Sequence, residues 1–138
     1  MPGKSNYLET IQLRNTFKGA TAPVSSGWIS LHSATVTDNA DGTEISTVGT
    51  NYNRITYALG SANWTSLAAA SSASASTVIN KLAITFASAA SSYTVVGVGL
   101  WDTSAAGNLL YLSSITAKVI EVGDVPTISS GEFKVSED

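Results

Sequence analysis

His32 is the only histidine of this 138-residue chain, and it lies in the run Trp28-Ile29-Ser30-Leu31-His32-Ser33-Ala34. Nucleophilic catalysis by a serine or threonine needs a base beside the hydroxyl, most often an imidazole. Strand alternation sets His32 on the same face as Trp28 and Ser30, opposite Ile29 and Leu31. Serine is abundant, but no Gly-x-Ser-x-Gly elbow occurs. His32 therefore reads as a surface or hydrogen-bonded strand residue rather than a catalyst. Ten acidic residues make some carboxylate pair inevitable, yet no two are singled out as the facing pair that glycoside hydrolysis requires. The segment Asp38-Asn39-Ala40-Asp41-Gly42-Thr43-Glu44 gathers three carboxylates around a glycine, as calcium loops do. Asp38, Asp41 and Glu44 are thus the metal candidates. Their spacing lacks the alternation of an EF-hand, and a turn built on Asp41-Gly42 is the favoured reading. Exposed Trp64 or Tyr52 would offer a ring for stacking on a sugar or a base, although aromatics of small β-domains more often belong to the core. No phosphate-cradling glycine loop is present. These residues predict no enzyme, no cofactor and no assigned metal.

The elements that must position these groups are mostly strands. Short runs with β-branched enrichment occur at Trp28–Ala34, Tyr52–Leu59, Thr77–Phe86, Tyr93–Trp101, Leu109–Ile115, Ala117–Val122 and Phe133–Val135, with Asn63-Trp64-Thr65 as a further edge. Turn-forming clusters separate them. The pattern predicts a mainly β chain: a single-domain antiparallel β-sandwich or barrel, jelly-roll-like, with one short N-terminal helix. Asn6 followed by Glu9 marks the start of that helix and Gly19 its stop. Its apolar residues Tyr7, Leu8, Ile11, Leu13 and Phe17 do not form one stripe, which predicts burial on two sides, one of them against a partner. Residues 1–19 are accordingly expected to act as an anchor segment and residues 20–138 as the β-domain. Within it, the Ala/Ser-rich stretch 68–76 reads as an exposed loop or extended arm, with a plain linker favoured over an arm packed on a neighbour.

Composition narrows the function classes further. Charged residues make up 12% of the chain, about half of the roughly 25% usual in soluble domains, and a surface so weakly hydrated favours stable burial against partners. The net charge is −3 and the seven basic residues are scattered, which argues against nucleic acid as a partner, since that affinity comes from clustered Lys and Arg. With no cysteine, neither disulfides nor thiolate metal sites contribute. No apolar run approaches the roughly 20 residues that span a bilayer, and the N-terminus lacks the apolar core of a signal peptide. No membrane partner is expected.

Two apolar strands joined by a polar turn, Val96 to Ile115, form the most distinctive stretch. Val96, Val98 and Leu100 are expected on one face, with Gly97, Gly99 and Trp101 on the other. The glycines leave gaps that Trp101 or Tyr111 would fill, or that let another backbone approach closely, and Asp102, Ser104, Gly107 and Asn108 suit a tight turn. Around this hairpin stand Ser5-Asn6-Tyr7-Leu8-Glu9, the strand Trp28–Ala34, the acidic loop Asp41-Gly42-Thr43-Glu44-Ile45-Ser46 and Tyr52-Asn53-Arg54-Ile55. Gly99-Leu100-Trp101-Asp102, Gly107-Asn108-Leu109-Leu110-Tyr111, Gly123-Asp124 and Ser130-Gly131-Glu132-Phe133-Lys134-Val135 complete the series. In this order they resemble a family of small tailed-bacteriophage virion proteins described as tail fibre-like. The Ala/Ser-rich middle and the glycine-poor stretch from Thr47 to Asn51 depart from the family pattern. The resemblance implies a non-enzymatic virion component, assembled in the host cytoplasm. Because a shaft or repeats are lacking, the reading preferred at this point is a head decoration (cement) protein, a homotrimer bound to the major capsid protein and stabilising the assembled capsid by mass action. The alternative is a tail-tip or tail-fibre-associated adhesion module that binds a host glycan.

Overall fold

The computed structural model describes residues 3–4, 26–35, 37, 43–65 and 76–137. The expected N-terminal helix, with Tyr7, Leu8, Ile11, Leu13 and Phe17, lies outside the described residues, as do Asp38, Asp41 and most of the Ala/Ser-rich loop.

Among the described residues, nine strands follow in chain order: β1 (Gly3–Lys4), β2 (Trp28–His32), β3 (Ile55–Thr56), β4 (Ser76–Ile79), β5 (Ile84–Thr85), β6 (Tyr93–Trp101), β7 (Leu109–Ile120), β8 (Thr127–Ile128) and β9 (Lys134–Glu137). One five-stranded sheet has the order β1-β7-β6-β2-β3, and two ribbons, β4-β9 and β5-β8, accompany it. Every pairing is antiparallel. Ile29, Leu31, Val98 and Leu100 from the large sheet share one core with Ile84, Phe86, Phe133 and Val135 from around the ribbons. That arrangement is sandwich-like, and the mainly β expectation holds. Each such aliphatic side chain, once buried, contributes about 1.5–3 kcal/mol.

Several strands differ from their predicted extents. The two runs Leu109–Ile115 and Ala117–Val122 are a single twelve-residue strand, Leu109–Ile120, which stays extended through the register shift that lies between the pairs Gly97–Ser114 and Val95–Lys118. Tyr52–Leu59 contains only the two-residue β3, and Thr77–Phe86 is split into β4 and β5 by a bend at Lys81–Leu82. Trp64 forms an isolated bridge with Asn80 rather than a strand.

The hairpin of β6 and β7 carries two register irregularities, between Val95 and Gly97 and between Leu100 and Trp101. At the first, the core side of β6 passes from Val98 to Val95, so Val95 is buried in the core and Val96, expected there, is only half-buried. A bulge inserts this one-residue change of face. At the second, Leu110 turns into the main core while Leu109 and Leu112 join Trp101 in a smaller apolar cluster on the opposite face. Tyr111 pairs with Leu100 and packs on the main core, so of the two aromatics expected to fill the gaps beside the glycines, only Trp101 does so.

The border of the sheet at β2 is closed by hydrogen bonds. The Ser33 N–H donates to Thr43 O (2.8 Å) and the Ile45 N–H to Leu31 O (3.0 Å), while the Leu31 N–H donates to the Tyr52 hydroxyl (3.0 Å). Ile45 and Tyr52 belong to the core, which explains why this edge is held tightly.

Candidate functional site

The polar groups with chemical potential converge on the face of the large sheet that carries Trp28, Ser30, His32, Gly97, Gly99 and Trp101. Register creates the cluster: Trp28 pairs with Trp101, Ser30 with Gly99, and His32 with Gly97. A side chain at Gly99 would approach Ser30 Oγ to 2.7 Å and Trp101 Nε1 to 3.0 Å. The glycine therefore makes room for both. Into that room Trp101 Nε1 donates to Ser30 Oγ (2.8 Å), and Ser30 Oγ lies 2.7 Å from His32 Nε2. The imidazole stacks with the Trp101 ring at a centroid separation of 6.4 Å.

A serine hydroxyl against an imidazole is the pairing that nucleophilic catalysis uses. Here both residues are 0% exposed, and the hydroxyl already accepts an indole N–H. Of the surface and hydrogen-bonded placements expected for His32, the structure shows the hydrogen-bonded one, buried against Ser30 where β2 packs on β6.

Next to this cluster stands an ion-pair network. Arg54 Nε donates to Glu44 Oε1 (3.0 Å) and Nη2 to Glu44 Oε2 (2.8 Å), a fork-to-fork geometry that adds directional specificity to charge. Its Nη1 donates to Thr103 O (3.0 Å) and Ala106 O (2.8 Å), and the guanidinium carbon lies 3.9 Å from the Trp101 ring centroid. The Tyr52 hydroxyl donates to Glu44 Oε1 (2.7 Å). One arginine thus ties the 43–45 segment, the Trp101 face and the β6–β7 turn together. Burial pushes the Glu44 carboxyl up, but the hydrogen bonds from Arg54 and Tyr52 and the charge of Arg54 outweigh it and hold the group below its ordinary value. Burial raises the Tyr52 phenol well above its ordinary range.

The turn that Arg54 grips is strongly specified. Asp102 closes it by accepting from the Asn108 N–H (2.7 Å) and the Asn108 side-chain amide (2.8 Å). Ala106 and Gly107 adopt φ of 52° and 77°, a conformation natural to glycine and costly for alanine. Asp102, Gly107 and Asn108 perform the turn roles predicted from their types.

Of the sequence-predicted metal candidates, Glu44 is described, and both its oxygens are engaged by Arg54. Tyr52 and Trp64 are 1% and 6% exposed, which agrees with the core placement favoured for them over sugar stacking. Trp64 packs edge-on against Tyr57 and Phe133. An apolar cleft of about 370 Å³ opens beside it, lined in part by Leu59, Val78, Leu100, Tyr111 and Val135. Sequence reasoning had not assigned Arg54 a role. The one available signal was its position two residues after Tyr52, on the same side of an extended segment.

A family model described as podophage GP4 fiber I protein gp80 matches residues 3–136. The chain belongs to this family. Comparison with curated proteins finds no significant match. The gp80 fibre family is one of phage virion fibre proteins, and the resemblance carried by the hairpin and its flanking motifs points the same way. In this gp80-family chain those motifs coincide with the braced region: Tyr52-Asn53-Arg54 supplies the phenol and guanidinium, and Gly99-Leu100-Trp101-Asp102 with Gly107-Asn108 supplies the face and turn they hold.

Proposed function

We propose that this chain is a non-enzymatic module of a phage fibre, a small rigid domain that contributes protein contacts to the virion and performs no turnover. The observation that carries this reading is the match of a fibre-protein family model over residues 3–136. The side-chain chemistry supports it. Ser30 and His32 are buried against each other, and Glu44 is neutralised by Arg54. In each of these two clusters the titratable groups hold one another within the fold.

Fibre placement is favoured over head decoration because the family description names a fibre. Stacking of a host glycan on Tyr52 or Trp64 is excluded from the proposal, since both rings are core. Quantitative mass spectrometry of purified virions tests the placement through copy number relative to the major capsid protein. The fibre reading expects a small number of copies per particle, whereas a number near that of the capsid subunit supports a cement protein and overturns it.

A further inference from the structure

The buried polar side chains around the core are paired. Trp101 Nε1 donates to Ser30 Oγ, the Tyr57 hydroxyl serves Asn63 O and the Leu82 N–H, and the Asn80 side chain makes three hydrogen bonds. Trp64 is the exception: among the described residues, its Nε1 is the one buried side-chain nitrogen or oxygen without a hydrogen-bond partner. A stranded donor is costly, and in a native fold it calls for an explanation. The same tryptophan lines the apolar cleft of about 370 Å³. Leu100 of β6 and Tyr111 of β7 reach this cleft from the large sheet, and Val78 of β4 and Val135 of β9 from the facing ribbon. The turn from Gly60 to Trp64, closed by the Trp64 N–H on Gly60 O (3.0 Å), contributes a further wall. Among the described residues, no charged side chain lines it.

We propose that this cleft binds an uncharged, mainly apolar small molecule that brings a carbonyl or ether oxygen to the Trp64 N–H and carries no donor of its own. Complementarity of charge and hydrogen bonding selects this occupant. The volume falls within the roughly 300–1,000 Å³ of small-molecule pockets, which set a few polar groups among apolar walls. An ionic ligand would lose its hydration and find no counter-charge there. A peptide or an alcohol brings N–H or O–H donors, and no buried side-chain acceptor among the described residues stands unpaired to receive them. Thr65 Oγ1, in the wall, already accepts from the Ile79 N–H (2.9 Å). A lone water is a poor substitute, since it needs about two to four polar partners and meets mostly the carbon of Leu59, Val78, Leu100 and Val135. The cleft lies on the core side of the large sheet, away from the Trp101 cluster on the opposite face. The inference concerns the isolated chain and stands apart from where the protein sits on a virion.

NMR titration of the isotope-labelled full chain with methyl hexyl ketone tests it. The three tryptophans give three indole N–H signals. The ketone is expected to move that of Trp64 downfield, as a new hydrogen bond does, while those of Trp28 and Trp101 hold. Octanoate and octylamine, equal in carbon number but charged, are expected to bind about tenfold or more weakly. Trp64→Phe keeps a ring against Tyr57 and Phe133 but removes the donor. It is expected to weaken ketone binding about fivefold, followed through the amide signals of Val78 and Leu100. Val78→Trp, at a half-buried position of the wall, fills the cleft and is expected to abolish binding; it leaves the Trp64 indole in place and so serves where Trp64→Phe does not fold. An unmoved Trp64 signal, octanoate binding as tightly as the ketone, or binding that survives either substitution unchanged overturns the proposal. So does a Trp64 signal already shifted upfield in the free protein, which would show the N–H spent on the ring face of Tyr57 or Phe133.

Discussion

Replacing Arg54 with alanine removes the group that joins three parts of the molecule, and its consequence can be worked from the structure. The Arg54 side chain is 6% exposed and that of Glu44 27%. Stripping one partner from a buried ion pair costs about 3–5 kcal/mol because the other charge stays behind uncompensated. Glu44 keeps some contact with water and its hydrogen bond from Tyr52, so the lower end, about 3 kcal/mol, applies. Loss of the contact with the Trp101 ring adds about 1 kcal/mol. The carbonyls of Thr103 and Ala106 belong to exposed residues and turn to water at little cost. For a chain of this length the sum corresponds to a fall in Tm of about 10 °C or more, read by circular dichroism or differential scanning fluorimetry. Arg54→Lys keeps the charge but not the fork, and is expected to recover about half of the loss. The effect has a defined pH dependence. The folded Glu44 carboxyl titrates below its ordinary value of 4.5, so its contribution is complete above that value and disappears as pH falls through the lower folded value. The gap between parent and R54A is therefore expected to be full at neutral pH and to narrow in acid below about 4.5. An R54A variant melting within about 2 °C of the parent at neutral pH refutes the bracing role of Arg54.

Tyr52→Phe leaves the Leu31 N–H without its acceptor and withdraws a donor from Glu44; chemical denaturation is expected to show a loss of about 1.5–3 kcal/mol, and a loss below about 0.5 kcal/mol contradicts the sealed border. Gly107→Ala places a Cβ against Thr103 Oγ1 at φ of 77°, so it is expected to destabilise by about 2 kcal/mol and to broaden the amide signals of residues 102–108; an unchanged melting temperature would show that the turn relaxes freely. Gly99→Ala drives a methyl toward Ser30 Oγ and Trp101 Nε1 and is expected to cost about 1–3 kcal/mol. Adding Ser30→Ala should recover part of that cost, and strict additivity of the two changes would mean that they do not share the space assigned to them.

The strands were legible where local pattern and burial agree. Alternation in Trp28–His32 placed His32 and Ser30 on one face, and the structure pairs that face with Gly97 and Gly99. Periodicity failed at the bulges, where the core position on β6 moves from Val96 to Val95. No local pattern marks such a change of face, because it depends on the partner strand. The split of β7 into two predicted runs has a related cause: its second half is exposed on both sides and so lacks the apolar alternation by which half-buried strands are recognised. The ion-pair network was invisible for another reason. Glu44 and Arg54 lie ten residues apart around a loop, and only the fold brings that loop under the β6–β7 turn. Glycine at 99 was read as a gap for a large aromatic. That reading holds for Trp101, and the same gap also admits Ser30.

The claim that this gp80-family chain works as a fibre module is tested most directly by immunogold electron microscopy of intact virions with an antibody raised against the full chain. The account predicts label confined to fibres projecting from the particle, in small numbers per virion. Label spread evenly over the head lattice would contradict it.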